Sequence, residues 1–112
     1  MSGFAATPEP PYWMVVFTSV RSAGNDADYA EAAATMERLA RRQPGFLGLE
    51  SVRDPGTGFG ITVSYWTDED AIAAWRAHTE HAVIQRLGRE RWYRAYRLRT
   101  GRVERAAAWD TD

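Results

Sequence analysis

Five residues with turn chemistry, Asp54-Pro55-Gly56-Thr57-Gly58, stand between two strand-like runs, Phe46–Arg53 (FLGLESVR) and Phe59–Trp66 (FGITVSYW). Proline presets one turn position and glycine supplies positive φ, so the two runs are expected to form an antiparallel hairpin. Thr67 follows the second run at once and opens a helix. Its hydroxyl is placed to accept the Asp70 N–H. Asp68, Glu69 and Asp70 fill the first turn, where the helix dipole favours negative charge. Beyond them Ala71, Ile72, Trp75, His78, Thr79, Ala82 and Val83 recur at helical spacing and define one inward face.

The rest of the chain fits around this β-β-α unit. Tyr12–Val20 (YWMVVFTSV) is apolar without alternation, which predicts a strand with apolar residues on both faces. A loop from Ser22 to Ala27 leads to a helix over about Asp28–Arg42, with Asp26 or Asp28 as its cap. Tyr29, Ala32, Ala33, Met36, Leu39 and Ala40 form its apolar stripe, and Pro44-Gly45 ends it. His81–Arg91 reads as a helical continuation or a second short helix. Trp92 to about Arg105 reads as the last strand, with Trp92, Tyr96 and Leu98 on one face, Tyr93, Arg97 and Arg99 on the other, and a bulge at Gly101. Residues 1–11, with Pro8, Pro10 and Pro11, predict a flexible arm, and 106–112 a tail, leaving 12–105 as one domain.

The order is β-α-β-β-α-β. This predicts an α+β, ferredoxin-like fold: a four-stranded antiparallel sheet with both helices on one face. The first strand is apolar on both faces, yet helices cover only one. A homodimer packed sheet against sheet would cover the other and is expected to bury more than ~1,000 Å2.

Composition narrows the chemistry. The chain has 112 residues, 14 basic and 15 acidic, for a net charge of −1, which carries no electrostatic footprint for nucleic acid. Cysteine is absent, excluding disulfides, thiolate catalysis and cysteine-ligated metal centres. No apolar run approaches the length of a membrane span and no signal pattern opens the chain, so a cytoplasmic location is expected. Five tryptophans predict an indole-rich core or pocket. No phosphate-binding glycine loop or nucleophile elbow is present.

Gln43-Pro44-Gly45-Phe46, leading into a strand, and Val63-Ser64-Tyr65-Trp66-Thr67-Asp68-Glu69-Asp70-Ala71-Ile72-Ala73-Ala74-Trp75 resemble the antibiotic biosynthesis monooxygenase domain. That domain has a Pro-Gly-Phe-like lead-in to its second strand and a tryptophan–acidic–tryptophan passage from third strand to second helix. His78-x-x-His81 and Gly88-Arg89-Glu90-Arg91-Trp92-Tyr93 resemble a bacterial branch of it. The resemblance covers roughly Tyr12 to Arg105. It implies a dimeric α+β barrel with a pocket in each subunit between sheet and helices. It also implies oxygenase chemistry on phenols or quinols without a cofactor. The haem-degrading branch pairs an Asn on the first strand with a Trp on the second helix and a His ten residues later. Here Trp75 matches, but Gln85 stands at the histidine position and the first strand has no Asn, so haem degradation is not expected.

Two readings stand side by side for the central residues. In the oxygenase reading Trp75 and Trp66 stack against a flat aromatic substrate, and His78 takes a phenolic proton, as imidazole can near neutral pH. Arg86 then stabilises the phenolate or a peroxide anion. Thr18, Met36 and Tyr96 complete the substrate-contacting set around the implied pocket. In the other reading His78 and Trp75 simply fill the core. The catalytic reading places His78 and Trp75 in one enclosed cavity. His78-x-x-His81 also has the one-turn spacing of a metal pair, but no third ligand accompanies it, so no metal and no cofactor are expected. The non-enzymatic alternative is a small dimer that holds a hydrophobic or aromatic molecule without turnover.

Overall fold

The computed structural model describes residues 3–80 and 92–111 of the chain. The order is β1 (Tyr12–Arg21), α1 (Asp26–Arg41), β2 (Phe46–Arg53), β3 (Phe59–Trp66), α2 (Glu69–Glu80) and β4 (Tyr93–Val103). The strands form one sheet in the order β2-β3-β1-β4, and every neighbouring pair is antiparallel. This is the ferredoxin-like arrangement expected from the sequence. Among the described residues no helix is long and apolar enough to cross a membrane.

The hairpin forms as its turn chemistry requires. The Asp54 carboxylate accepts hydrogen bonds from the backbone N–H groups of Gly56 and Thr57 and from the Thr57 hydroxyl. These bonds hold its pKa below the ordinary carboxylate range, the Thr57 hydroxyl contributing most. The Pro44-Gly45-Phe46 lead-in also has a physical cause. Gly45 sits at φ 83°, and a Cβ there would lie 2.6 Å from Thr67 Oγ1 and 2.7 Å from Ala71 Cβ. Its carbonyl accepts the Thr67 N–H at 2.8 Å. Only glycine lets β2 begin this close to the start of α2.

Three local expectations need correction. α2 is capped by Asp68, whose Oδ1 accepts the Ala71 N–H at 2.8 Å, and not by Thr67; a short carboxylate one residue later reaches the third helical N–H better. α1 starts at Asp26 behind Asn25, which takes a left-handed φ of 57°, so neither aspartate is the cap residue. The irregularity in β4 lies near its start, where Val20 pairs with Ala95 but Arg21 pairs with Tyr93. Arg94 is the extra residue, Gly101 pairs regularly with Met14, and Tyr93 is turned onto the same face as Tyr96.

Register assigns the two faces of the sheet. Trp66 lies opposite Trp13 and stacks on Trp75 of α2, and Arg53, in register with Gly60 and Ser19, bonds Tyr29 of α1. Trp13, Val15, Phe17 and Ser19 therefore face the helices, since alternate residues share a face. Met14, Val16, Thr18 and Val20 face away. On that open side Val52, Phe59 and Ile61 are 71%, 48% and 37% exposed. Residues 3–11 form no helix or strand, but Ala5 N–H donates to Glu50 Oε2, and a Cβ on Gly48 would meet Ala5 at 2.8 Å. The arm thus crosses the open face at the β2 edge.

Candidate active site

A column of rings stands at the α2 end of the helix-facing surface. Trp66 is fully buried, and its indole N–H donates to Ser64 Oγ at 2.9 Å, which satisfies the one polar atom of the ring. Phe46 meets it edge-on at 5.3 Å between centroids. Trp75 stacks on it at 6.0 Å, and His78 stacks on Trp75 at 5.8 Å with 22° between planes. The spacing of Trp75 and His78, three residues apart on one helix, makes this stack possible.

Trp75 is half-buried and His78 is exposed in the single chain. The expectation is that both face one enclosed space; the segment that follows α2, which would help to enclose it, lies outside the described residues. Metal pairing of His78 with His81 and the role given to Arg86 concern positions outside the described residues, as do Gln85 and the expected helical continuation.

A second cluster occupies the opposite end of the same face. Arg53 turns inward from the hairpin. Its Nη1 donates to the carbonyls of Gly58 (2.7 Å) and Ser19 (3.4 Å), and its Nη2 donates to Ser19 Oγ (2.9 Å) and the Tyr29 hydroxyl (3.2 Å). The Tyr93 hydroxyl also donates to Tyr29, at 3.2 Å. Burial, reinforced by that bond, pushes the Tyr93 phenol well above its ordinary range. Arg21 lies 3.9 Å over the Tyr29 ring and binds the Trp92 carbonyl and Asp26. The buried Trp92 indole N–H has no hydrogen-bond partner.

Between the two ends runs a strip that the helices leave partly open. Val15, Phe17, Thr62 and Ser64 are half-buried on it, and Leu98 is 49% exposed. Ser51 and Thr62 share a hydrogen bond of 2.6 Å, so the strip mixes hydroxyl and apolar groups. Tyr96 lies here, 5.4 Å from Phe17 between ring centroids. Met36 is half-buried on α1.

The structure thus brings Trp66, Trp75 and His78 together, and sets Tyr96 about 20 Å along the strand direction from them, six residues of β1 away. Thr18 is separated from the column but shares a recess with Tyr96. It pairs with Ile61 and Arg97 on the open face and lines a shallow recess of about 240 Å3 with Ser19, Val20, Phe59, Ala95, Tyr96 and Arg97. The pleat of β1 makes it impossible for Thr18 and Trp66 to line one pocket in a single chain.

Sequence reasoning passed over the Arg53–Ser19–Tyr29–Tyr93 cluster. The available signal was Gly60, opposite Arg53 on the neighbouring strand. A Cβ at Gly60 would lie 2.8 Å from the Arg53 guanidinium carbon, so the glycine makes the room that an inward arginine needs.

The family model for antibiotic biosynthesis monooxygenases matches residues 13–87, which takes in the Pro-Gly-Phe lead-in and the whole tryptophan column. The chain belongs to the antibiotic biosynthesis monooxygenase family. YqjZ of Bacillus subtilis (strain 168), an uncharacterized protein, is 52% identical over 105 residues, covering 94% of this chain and 90% of its own. Among solved structures, PA3566 from Pseudomonas aeruginosa superposes with a TM-score of 0.66 at 16% identity, covering 90% of this chain and 100% of that one. SnoaB, a cofactor-independent oxygenase from Streptomyces nogalater, superposes with a TM-score of 0.65 at 19% identity, covering 91% and 97%. At these identities the superpositions establish the shared fold of the family.

Proposed function

We propose that this family member is a cofactor-independent monooxygenase that acts, as a homodimer, on a small hydrophobic or aromatic phenol or quinol. The observation that carries the reading is the Trp66–Trp75–His78 column beside a half-open strip of apolar and hydroxyl groups. A flat ring laid on the strip meets a second flat ring at the column, and stacked aromatic pairs contribute about 0.5–1.5 kcal/mol beyond the area they bury. His78, at the outer end of the column, is the group that takes the phenolic proton. The phenolate is electron-rich enough to give one electron to O2. The radical pair then joins at the para carbon to form a hydroperoxide, with the proton returned from His78. Loss of the para C–H proton with cleavage of the O–O bond releases water and leaves a quinone. One phenol and one O2 thus give one quinone and one water, and no outside reductant is needed. The family's description as monooxygenases supports this class of chemistry, and SnoaB, which shares the fold, is a cofactor-independent oxygenase.

The alternative is a binding dimer that holds the same kind of molecule without turnover. Oxygen uptake by the purified protein, with a panel of hydroquinones and polycyclic phenols, separates the two. Turnover that falls about 10²–10⁴-fold in His78→Ala, with an unchanged denaturant midpoint, is the expected result. Saturable ligand binding with no oxygen uptake favours the binding dimer.

A further inference from the structure

We propose that the C-terminal tail of each protomer crosses to a second copy of the chain and seats Trp109 in the open-face recess of Thr18, Val20, Phe59, Ala95 and Arg97. This rests on the sheet-to-sheet pairing proposed above and names what fills a concavity of the open face. Three observations carry it.

Trp109 is 82% exposed, the most exposed of the large hydrophobic side chains among the described residues, on a segment without helix or strand after β4. An indole left in water forfeits a large hydrophobic contribution, so the tail has reason to find a cover. The recess has a volume of about 240 Å3, room for one bicyclic ring, and its walls are almost wholly apolar.

Charge agrees. Arg97 stands at the rim of the recess and Arg99 one row along the same face, and neither has a carboxylate partner among the described residues. Asp110 follows Trp109 directly, and Asp112 follows two residues later. A tail seated by its indole carries these acids to the arginine edge of the sheet.

Topology decides which copy is reached. The recess lies beside Arg97, six residues back along β4 from Val103, whereas Trp109 lies six residues beyond it. To fill its own recess the tail would have to reverse at once. Glu104-Arg105-Ala106-Ala107-Ala108 holds no glycine, proline, asparagine or aspartate to turn on. A two-fold axis that crosses the strands between two facing sheets brings the recess end of one protomer over the tail end of the other. Packed sheets lie about 10 Å apart, and six residues span up to about 20 Å, so the partner's recess is within reach.

The chain has no cysteine, which makes a cross-link test clean. Ala95→Cys and Ala108→Cys are prepared as separate proteins, mixed, allowed to exchange and oxidised. The expected product is a disulfide-linked pair containing one of each. Trp109→Ala in the otherwise native chain should raise the dimer dissociation constant at least about tenfold. A double variant that closes within one chain would overturn the exchange. No mixed cross-link between the two cysteine variants, with the wild type dimeric and Trp109→Ala unchanged in affinity, would overturn the tail proposal and leave the pairing intact. A wild-type monomer would overturn both.

Discussion

On the side of the sheet that carries the helices, rings stack in a column and most buried polar groups, the Trp92 indole N–H apart, find partners. Trp66 is fully buried with its N–H bonded to Ser64, and the Arg53 guanidinium is held by Ser19, Gly58 and Tyr29. On the other side, Val52, Phe59 and Ile61 end in solvent, and the polar contacts gather at the edge, where Glu50 accepts from Tyr65 and from the arm. Both faces share one backbone ladder. They differ in what covers them, and a sheet stabilises a fold only through the surface it removes from water. The helix face is complete enough to hold a chemical site. The open face leaves apolar side chains in water, which is why we propose that a second copy packs on it.

The helix face should therefore respond most strongly to substitution. Trp66→Ala removes its fully buried ring and should cost about 3–5 kcal/mol, read as a lower denaturant midpoint. A midpoint within error of the parent would mean the column is not part of the core. Arg53→Met removes the guanidinium and leaves Ser19 and Tyr29 short of a donor. It should cost about 1.5–3 kcal/mol, the range for hydrogen bonds to a charged group. A neutral result would show that the cluster is replaceable packing.

The smallest effect is expected at the covered edge of the open face. Burial, together with the 2.6 Å bond to Glu50, raises the Tyr65 phenol from 10.0 to about 12. The folded state favours the protonated phenol. Its contribution is therefore full below pH 10 and is lost as pH climbs from 10 toward 12. Stability measured across that window should fall less steeply in Tyr65→Phe than in the parent. Identical slopes would remove Tyr65 from the account.

The order of elements, the hairpin and the limits of β2 and β3 were legible because turn residues and capping carboxylates act locally. The expectation of a cover came from Tyr12–Val20, whose apolar residues continue through both parities. Three features were not legible. Whether Thr18 faced the helices depended on the parity of a strand whose two faces read alike, so periodicity held no information. The inward turn of Arg53 depended on space left by Gly60 across the sheet, a contact between strands that pairing alone reveals. His78 shares helical spacing with Trp75, yet its exposure depends on where the covering layer stops. The tryptophan column itself was readable, because Trp66 and Trp75 lie on adjoining elements joined by a two-residue link, Thr67-Asp68.

The division of labour between the two faces is tested most directly by the mass of the protein in solution. Sedimentation equilibrium at micromolar concentration should give twice the 12.6 kDa chain mass for the parent. Ile61→Glu, a charge placed in the middle of the open face, should give a folded species at or near 12.6 kDa. A parent protein that is folded and stable at 12.6 kDa would contradict the claim that the open face is an interface.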